Sequence, residues 1–114
     1  MEESNRPWGK YTVIKDESNF KLKIIEVNPG QRLSYQYHNK RSEVWTIVEG
    51  SGEVIIDGKK NILNYGDCIK IDKKSKQKIY NNSDAILKFI EVQTGSYFGE
   101  DDIVRIDDDY NRVS

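Results

Sequence analysis

Apolar and charged residues alternate along much of this chain, and the alternation has the two-residue period of a β-strand. From Phe20 to Ile24, lysines separate the apolar residues, which indicates a strand with one side facing solvent. Ile25 and Val27 continue the run in the opposite phase, which suggests a bulge. Val44 to Val48 is a nearly continuous apolar run, typical of a strand covered on both sides. Both segments are therefore predicted strands.

Turn residues separate these strands from further apolar segments. Pro29-Gly30 favours a turn with a positive φ at its glycine, and Asp57-Gly58 is typical of a tight primed hairpin. Such signals recur about every eight to twelve residues, which favours a sandwich or barrel. Only the tail from Glu100 to Tyr110 offers a helical turn or two, and its acidic run fits a solvated extension equally well. The remaining predicted strands are Leu33–His38, Glu53–Ile56, Ile62–Tyr65, Cys68–Ile71, Ile79–Tyr80 and Ile86–Val92.

Length and charge narrow the classes of partner. The chain has 114 residues, which is enough for one domain with one core. Its 18 Lys and Arg face 19 Asp and Glu, so there is no charge excess to drive electrostatic binding of nucleic acid or an anionic membrane. The N-terminus shows no apolar signal segment, and no apolar run is long enough to span a bilayer. We therefore expect a cytoplasmic protein with no nucleic-acid and no membrane partner.

Cysteine and histidine each occur once. A single Cys excludes an intrachain disulfide framework and four-Cys zinc sites. Cys68 lies beside Ile69 and Ile71, so we expect it to be a buried thiol. A metal site with two or three histidines cannot be built from one copy of a chain whose only histidine is His38.

Several motifs resemble the cupin domain of type II mannose-6-phosphate isomerase, which is usually the C-terminal part of a bifunctional guanylyltransferase. Glu43 and Gly50 have the spacing that ends the first cupin motif, and Gly66 and Asn81 outline the second. The longest match is the C-terminal block. The matching segments are Arg6–Tyr11, Pro29-Gly30, Leu33-Ser34, Gln36–His38, Arg41–Glu43 with Trp45, and Glu91–Ile103 followed by Arg105, Asp107, Tyr110 and Arg112.

The resemblance implies an all-β cupin fold, a double-stranded β-helix or jelly-roll barrel. Residues 1–114 would form a single free-standing cupin domain with a short N-terminal arm and an acidic C-terminal extension. The implied activity is interconversion of an aldose and a ketose sugar phosphate in nucleotide-sugar or polysaccharide precursor metabolism. A homodimer and a separate guanylyltransferase partner are implied by analogy. The alternative is a non-catalytic cupin that binds a sugar or nucleotide sugar and has lost its metal site.

The resemblance also implies a divalent metal site (Zn, Mn or Fe), which this sequence matches only in part. His38 falls on the first histidine position, Lys40 on the second, and Gln77 on the histidine of the second motif. The remaining candidate ligands are therefore His38, Glu43 and Gln77, and a neutral amide is a weak donor for a transition metal. We expect instead that the Lys40 ammonium replaces the missing cation and pairs with Glu43 inside the barrel.

Aldose–ketose interconversion needs a base to move a proton and a positive group to stabilise the enediolate oxygen. The candidate catalytic residues are Lys40 as the positive group, with His38 or Glu43 as the base. Arg112 is the candidate phosphate contact, and Gln36 and Tyr37 are the other candidate substrate contacts. Taken singly, Arg41 and Arg105 are expected at the surface or in salt bridges. His38 is equally consistent with a residue that is only packed in the fold.

Overall fold

The computed structural model describes the backbone of residues 2–107 and the side chains of residues 3–107. No helix lies within this range, and hence none that could cross a membrane. The described strands are β1 (Glu2–Arg6), β2 (Gly9–Asp16), β3 (Phe20–Val27), β4 (Tyr35–Tyr37), β5 (Arg41–Glu49), β6 (Gly52–Ile56), β7 (Lys59–Leu63), β8 (Cys68–Ile71), β9 (Gln77–Tyr80), β10 (Leu87–Gly95) and β11 (Val104–Asp107).

The strands form two sheets that face each other. One sheet has the order β1-β2-β3-β10-β5-β8 and the other β11-β4-β9-β6-β7. Neighbouring strands within both sheets run antiparallel. This two-layer arrangement confirms the predicted all-β fold, because each sheet covers its apolar face with the other.

Apolar side chains from both sheets form one core between them. Trp45 and Phe89 belong to this core, and their ring centroids are 4.9 Å apart. Val54 and Ile79 approach from the five-stranded sheet and are fully buried. Burying such a cluster is the main favourable contribution to folding. The other buried members are Trp8, Tyr11, Ile25, Val27, Leu33, Ile47, Leu63, Ile71 and Leu87.

The predicted hairpin at Asp57-Gly58 is confirmed. Both residues have positive φ values, 49° and 85°, and Ile56 pairs with Lys59 across the turn. Gly30 also takes the positive φ expected of it, at 75°. The expectation that Val44–Val48 is covered on both sides is wrong, because burial alternates along β5 and Val44 is 38% exposed.

The phase of β3 also differs from the prediction. The pairing of β3 with β10 is continuous from Phe20 to Val27, so β3 contains no bulge against that neighbour. Burial alternates so that Lys23, Ile25 and Val27 face inward, while Leu22 and Ile24 face outward. The irregularity lies instead in β2, where the register shifts between residues 13 and 15. The correct phase therefore brings one lysine into the interior.

Three local expectations need correction or a new description. The segment expected to be an N-terminal arm forms β1 and β2, which extend the six-stranded sheet. Residues 104–107 of the tail form β11, so the prediction of a helical turn is wrong for the described part of the tail. Residues 108–110 lie outside the described residues. Cys68 is exposed rather than buried, because its phase on β8 is opposite to that of Ile69 and Ile71.

Candidate functional site

A cavity opens between the two sheets beside the apolar core, and polar and charged side chains surround it. Strands β3, β4, β5, β9 and β10 all contribute to its wall. Its apolar lining includes Trp8, Ile25 and Trp45. Its polar and ionisable lining consists of Arg6, Tyr11, Lys23, Ser34, Gln36, His38, Arg41, Glu43, Gln77, Glu91, Glu100 and Arg105.

Strand alternation carries the polar groups inward along the same lines as the core residues. Arg41 and Glu43 precede Trp45 on the inward face of β5. On β10 the inward face continues from Phe89 to Glu91 and Gln93. The two strands are paired, with Glu91 opposite Trp45 and Gln93 opposite Glu43. The core side of each strand therefore becomes the cavity wall.

Arg41, Glu43 and His38 form a tight buried cluster. Arg41 Nε donates a hydrogen bond of 2.8 Å to Glu43 Oε2, and Trp45 Nε1 donates one of 2.8 Å to Glu43 Oε1. Arg41 Nη2 lies 3.3 Å from His38 Nε2. Arg41 and Glu43 are only 4% and 2% exposed. The guanidinium therefore bridges the carboxylate and the imidazole inside the cavity.

The tautomer of His38 follows from its other contact. His38 Nδ1 lies 2.6 Å from the backbone carbonyl oxygen of Asp102, which can only accept a hydrogen bond. Nδ1 therefore carries the proton, and Nε2 accepts from Arg41. Burial lowers the pKa of His38 below its usual value, and the Arg41 charge lowers it further. The imidazole is consequently neutral at neutral pH.

Glu91 is a second buried carboxyl group in the same cavity. Burial and the nearby Glu43 charge raise the pKa of Glu91 to about 8, against the opposing effects of Lys23 and Arg41. Gln93 Nε2 donates a hydrogen bond of 2.6 Å to Glu91 Oε2. The pKa of Glu91 therefore lies above neutral pH, and its carboxyl group favours the protonated form there.

Lys23 supplies another buried cation. Lys23 Nζ lies 3.2 Å from Glu100 Oε2 and 4.3 Å from the centre of the Tyr11 ring. Burial acts to raise the pKa of Glu100, but the Lys23 and Arg41 charges outweigh it, and the net pKa is lowered. Glu100 therefore stays ionised and closes the cluster on the side of the C-terminal block.

Lys40, the predicted cation of the site, lies outside the cavity. It is exposed, and its Nζ lies 5.0 Å from the centre of the Tyr97 ring. The predicted pairing of Lys40 with Glu43 is therefore wrong, because Arg41 makes that contact. The physical reason is a bend at Asn39 and Lys40 between β4 and β5, where the backbone N–H groups donate to the Asp102 carboxylate at 3.1 Å and 2.9 Å.

The other predicted site residues are placed as follows. His38, Glu43, Gln36 and Gln77 line the cavity together, and Gln36 pairs with Gln77 between β4 and β9. Tyr37 follows Gln36 on β4 and is not part of the cavity lining, so its role as a substrate contact stays a prediction. Arg112, the predicted phosphate contact, lies outside the described residues.

Sequence reasoning missed the cavity residues Lys23, Glu91 and Glu100 and placed Arg41 at the surface or in a salt bridge. Arg41 is in a salt bridge, but a buried one. Strand alternation could have predicted two of these residues. Arg41 lies on the same face of β5 as Trp45, and Glu91 lies on the same face of β10 as Phe89. Because these aromatic residues are buried, the two charged residues must also face inward.

The side chains around Arg41 do not fit a divalent metal. Of the expected ligands, His38 Nε2 and Glu43 Oε2 both contact the Arg41 guanidinium, so a positive charge already lies beside both donor atoms. Gln77 Oε1 is buried without a hydrogen-bond partner among the described residues, but it is a neutral amide. Within the described part of the chain, no three His, Cys, Asp or Glu side chains are grouped as metal ligands.

Comparison with known proteins shows which family this chain resembles. The Pseudomonas aeruginosa protein named alginate biosynthesis protein AlgA is 41% identical over 109 residues, which cover 96% of this chain and 23% of that protein. The Escherichia coli K12 mannose-1-phosphate guanylyltransferase is 42% identical over 108 residues, covering 95% of this chain and 23% of that protein. The chain thus spans less than a quarter of the length of these relatives.

A solved structure supports the fold. A Klebsiella pneumoniae protein described as having a double-stranded β-helix domain matches with a TM-score of 0.71 at 19% identity, covering 77% of each chain. This confirms the predicted cupin double-stranded β-helix. The family model described as mannose-6-phosphate isomerase C-terminal matches residues 1–108. The chain therefore belongs to the mannose-6-phosphate isomerase C-terminal family.

Proposed function

We propose that this chain binds a sugar phosphate in the cavity and interconverts its aldose and ketose forms. One observation carries the proposal. The cavity holds two carboxyl groups in different surroundings: Glu43 is in a salt bridge with Arg41, whereas burial and the Glu43 charge raise the pKa of Glu91 to about 8. Such a pair provides a base and an acid side by side, as a proton transfer between adjacent carbons requires.

The steps follow from these roles. The Glu43 carboxylate takes the proton from C2 of the aldose, and the C2–H electron pair forms the C1–C2 double bond. The carbonyl oxygen at C1 receives the Glu91 proton, which gives an enediol. Glu43 then returns its proton to C1, while the hydroxyl at C2 returns a proton to Glu91 and becomes the ketone. Arg41 stabilises the negative charge that develops on the oxygen.

The charge of the cavity favours an anionic substrate. Its lining contains four cationic side chains, Arg6, Lys23, Arg41 and Arg105. With His38 neutral and Glu91 protonated, only Glu43 and Glu100 oppose them. A phosphate group gains from this excess, because charge-assisted hydrogen bonds are stronger than neutral ones.

A second candidate is a cupin that binds the sugar phosphate without converting it. The observation that favours it is the engagement of both Glu43 oxygens, one by Arg41 Nε and the other by Trp45 Nε1. These hydrogen bonds weaken a base because they stabilise the carboxylate before it takes a proton. A cavity with the same geometry would then bind the sugar phosphate without converting it.

A coupled assay that converts mannose 6-phosphate to fructose 6-phosphate tests the proposal, run with EDTA and with added Zn²⁺ or Mn²⁺. Turnover that is present in EDTA and decreases at least tenfold in Glu91→Gln supports it, with the exposed Glu49→Gln as the control. Binding of mannose 6-phosphate by calorimetry without turnover under any metal condition favours the second candidate. Absence of both binding and turnover overturns both functions.

A further inference from the structure

We propose that Arg41 is a built-in cation that takes the place of a divalent metal between His38 and Glu43 and binds an oxyanion of the ligand through its Nη1 group. The inference rests on the proposed function for the identity of the ligand, since a sugar phosphate provides such an oxygen. The placement of Arg41 itself stands on contacts within the chain.

Arg41 makes the contacts that a metal ion would otherwise need. Its Nε bonds to Glu43 Oε2 at 2.8 Å, and its Nη2 lies 3.3 Å from His38 Nε2. Nε2 carries the lone pair because Nδ1 is committed to the Asp102 carbonyl, and Glu43 Oε2 also lies 3.3 Å from Nε2. A metal ion at the same donors would lie against a fixed positive charge, and the guanidinium cannot give up its proton.

The third nitrogen of the guanidinium is left for a ligand. Arg41 Nη1 is buried and has no hydrogen-bond partner among the described residues, and Glu100 Oε2 is 3.7 Å away from it. A buried donor without a partner is costly, so it is retained where a ligand completes it. Arg41 lines the cavity, which gives a ligand access to this nitrogen. The fitting group is an anionic oxygen, as in a phosphate or an enediolate.

The remaining charges show what Arg41 prevents. Without the guanidinium, His38 Nε2 and the Glu43 carboxylate would face the cavity beside Glu91, and Lys23 would be the cation that remains in contact with Glu100. Imidazole and carboxylate are donors that divalent transition metals accept. No three His, Cys, Asp or Glu side chains among the described residues are grouped as a metal site, so His38 and Glu43 would be the two donors that this change releases. Removing Arg41 should therefore raise the affinity of the cavity for a divalent metal.

Titration with Co²⁺, followed by its visible absorption and by calorimetry, tests this change in affinity. We expect Arg41→Ala to bind Co²⁺ with an affinity about tenfold or more above that of the unmodified protein. Arg41→Lys keeps the charge and should stay metal-free. Arg32→Ala removes an arginine outside the cavity lining and should behave like the unmodified protein. Stoichiometric Co²⁺ binding by the unmodified protein, or no gain in Arg41→Ala, overturns the inference.

The oxyanion contact is tested on the unmodified protein, so the test does not depend on the variant folding. Inorganic phosphate is added to EDTA-treated protein, and the Arg41 side-chain N–H resonances are followed by NMR. A saturable shift of these resonances is expected, and its absence overturns the oxyanion role. Neither measurement requires turnover, so a protein without isomerase activity can still confirm or refute the placement of Arg41.

Discussion

At the scale of single residues, the bend between β4 and β5 decides which cation enters the cavity. The Asp102 carboxylate holds the backbone N–H groups of Asn39 and Lys40, and the chain leaves strand geometry there. Alternation restarts at Arg41, which therefore points inward with Glu43, while the Lys40 side chain extends over the exposed Tyr97 ring. One step along the chain separates a buried arginine from a surface lysine.

We therefore expect Lys40→Met to change sugar-phosphate turnover by no more than about twofold relative to the unmodified protein. The exposed cation–π contact that it removes contributes only about 0.5–1 kcal/mol to stability, and Lys40 does not line the cavity. The measurement is kcat/KM in the coupled assay, with thermal unfolding as the check on stability. Arg41→Met is the matched comparison and should lose at least a hundredfold. A tenfold loss in Lys40→Met would return Lys40 to the mechanism.

The site residues could be predicted only where the strand phase was read correctly. His38, Glu43, Gln36 and Gln77 were recognised from motif spacing, and all four line the cavity. Lys23 was missed because the alternation from Phe20 to Ile24 predicts that the lysines face solvent, whereas β3 has apolar residues on both faces and buries the face that carries Lys23. Alternation alone does not say which face is buried when both carry apolar side chains.

At the scale of elements, the end of β10 fixes the start of β5. Gly95 pairs with Arg41, and the backbone carbonyl of Lys40 lies against the Cα of this glycine. Gly95 has a φ of +151°, and a Cβ placed there would be 2.2 Å from the Lys40 carbonyl oxygen. Only a residue without a Cβ allows this close approach of the two backbones. The approach positions the backbone of Arg41 so that its side chain lies in the cavity wall.

We accordingly expect Gly95→Ala to lower the free energy of unfolding by about 2 kcal/mol or more, because backbone atoms must separate to admit the methyl group. Urea unfolding measures the change. Gly58→Ala is the control: its φ is also positive, at +85°, but no atom lies within 4 Å of the added Cβ, so a loss of about 1 kcal/mol is expected. Equal losses in the two variants would contradict the steric argument.

Elements were predicted more reliably than their edges. Turn residues such as Asp57-Gly58 have local conformational preferences, and the hairpin formed as expected. The strand at the tail, β11, was not predicted, because its pairing with β4 depends on contacts far apart in the chain. Strand propensity is decided largely by such neighbours, which a local pattern does not contain.

At the scale of the whole molecule, the fold tolerates the buried cations Lys23 and Arg41 because each is paired with a carboxylate. Lys23 pairs with Glu100, and Arg41 pairs with Glu43. Glu91 is the exception, since burial and the Glu43 charge outweigh the effects of Lys23 and Arg41 and raise its pKa to about 8. Ionising it must therefore cost folding free energy, and this cost should be visible as a pH dependence of stability.

The sign follows from proton binding. The pKa of Glu91 is raised to about 8 in the folded protein, above the ordinary value of 4.5. Between these values the folded state binds the proton and the unfolded state does not, so stability falls as pH rises, by about 1.4 kcal/mol per pH unit for one group. The lowered pKa of His38 acts in the opposite direction below its ordinary value of 6.5. The range from pH 7 to 8 therefore isolates Glu91 from His38.

We expect Glu91→Gln to remove this decline and to be more stable than the unmodified protein at pH 8, on the order of a few kcal/mol. Urea unfolding at several pH values from 6 to 9 measures it, and above pH 8 the difference should become constant. Glu49→Gln, on the same sheet but at an exposed position, should leave the slope unchanged. If the unmodified protein and Glu91→Gln have parallel stability curves from pH 7 to 8, Glu91 is already ionised there and is not the acid of the cavity.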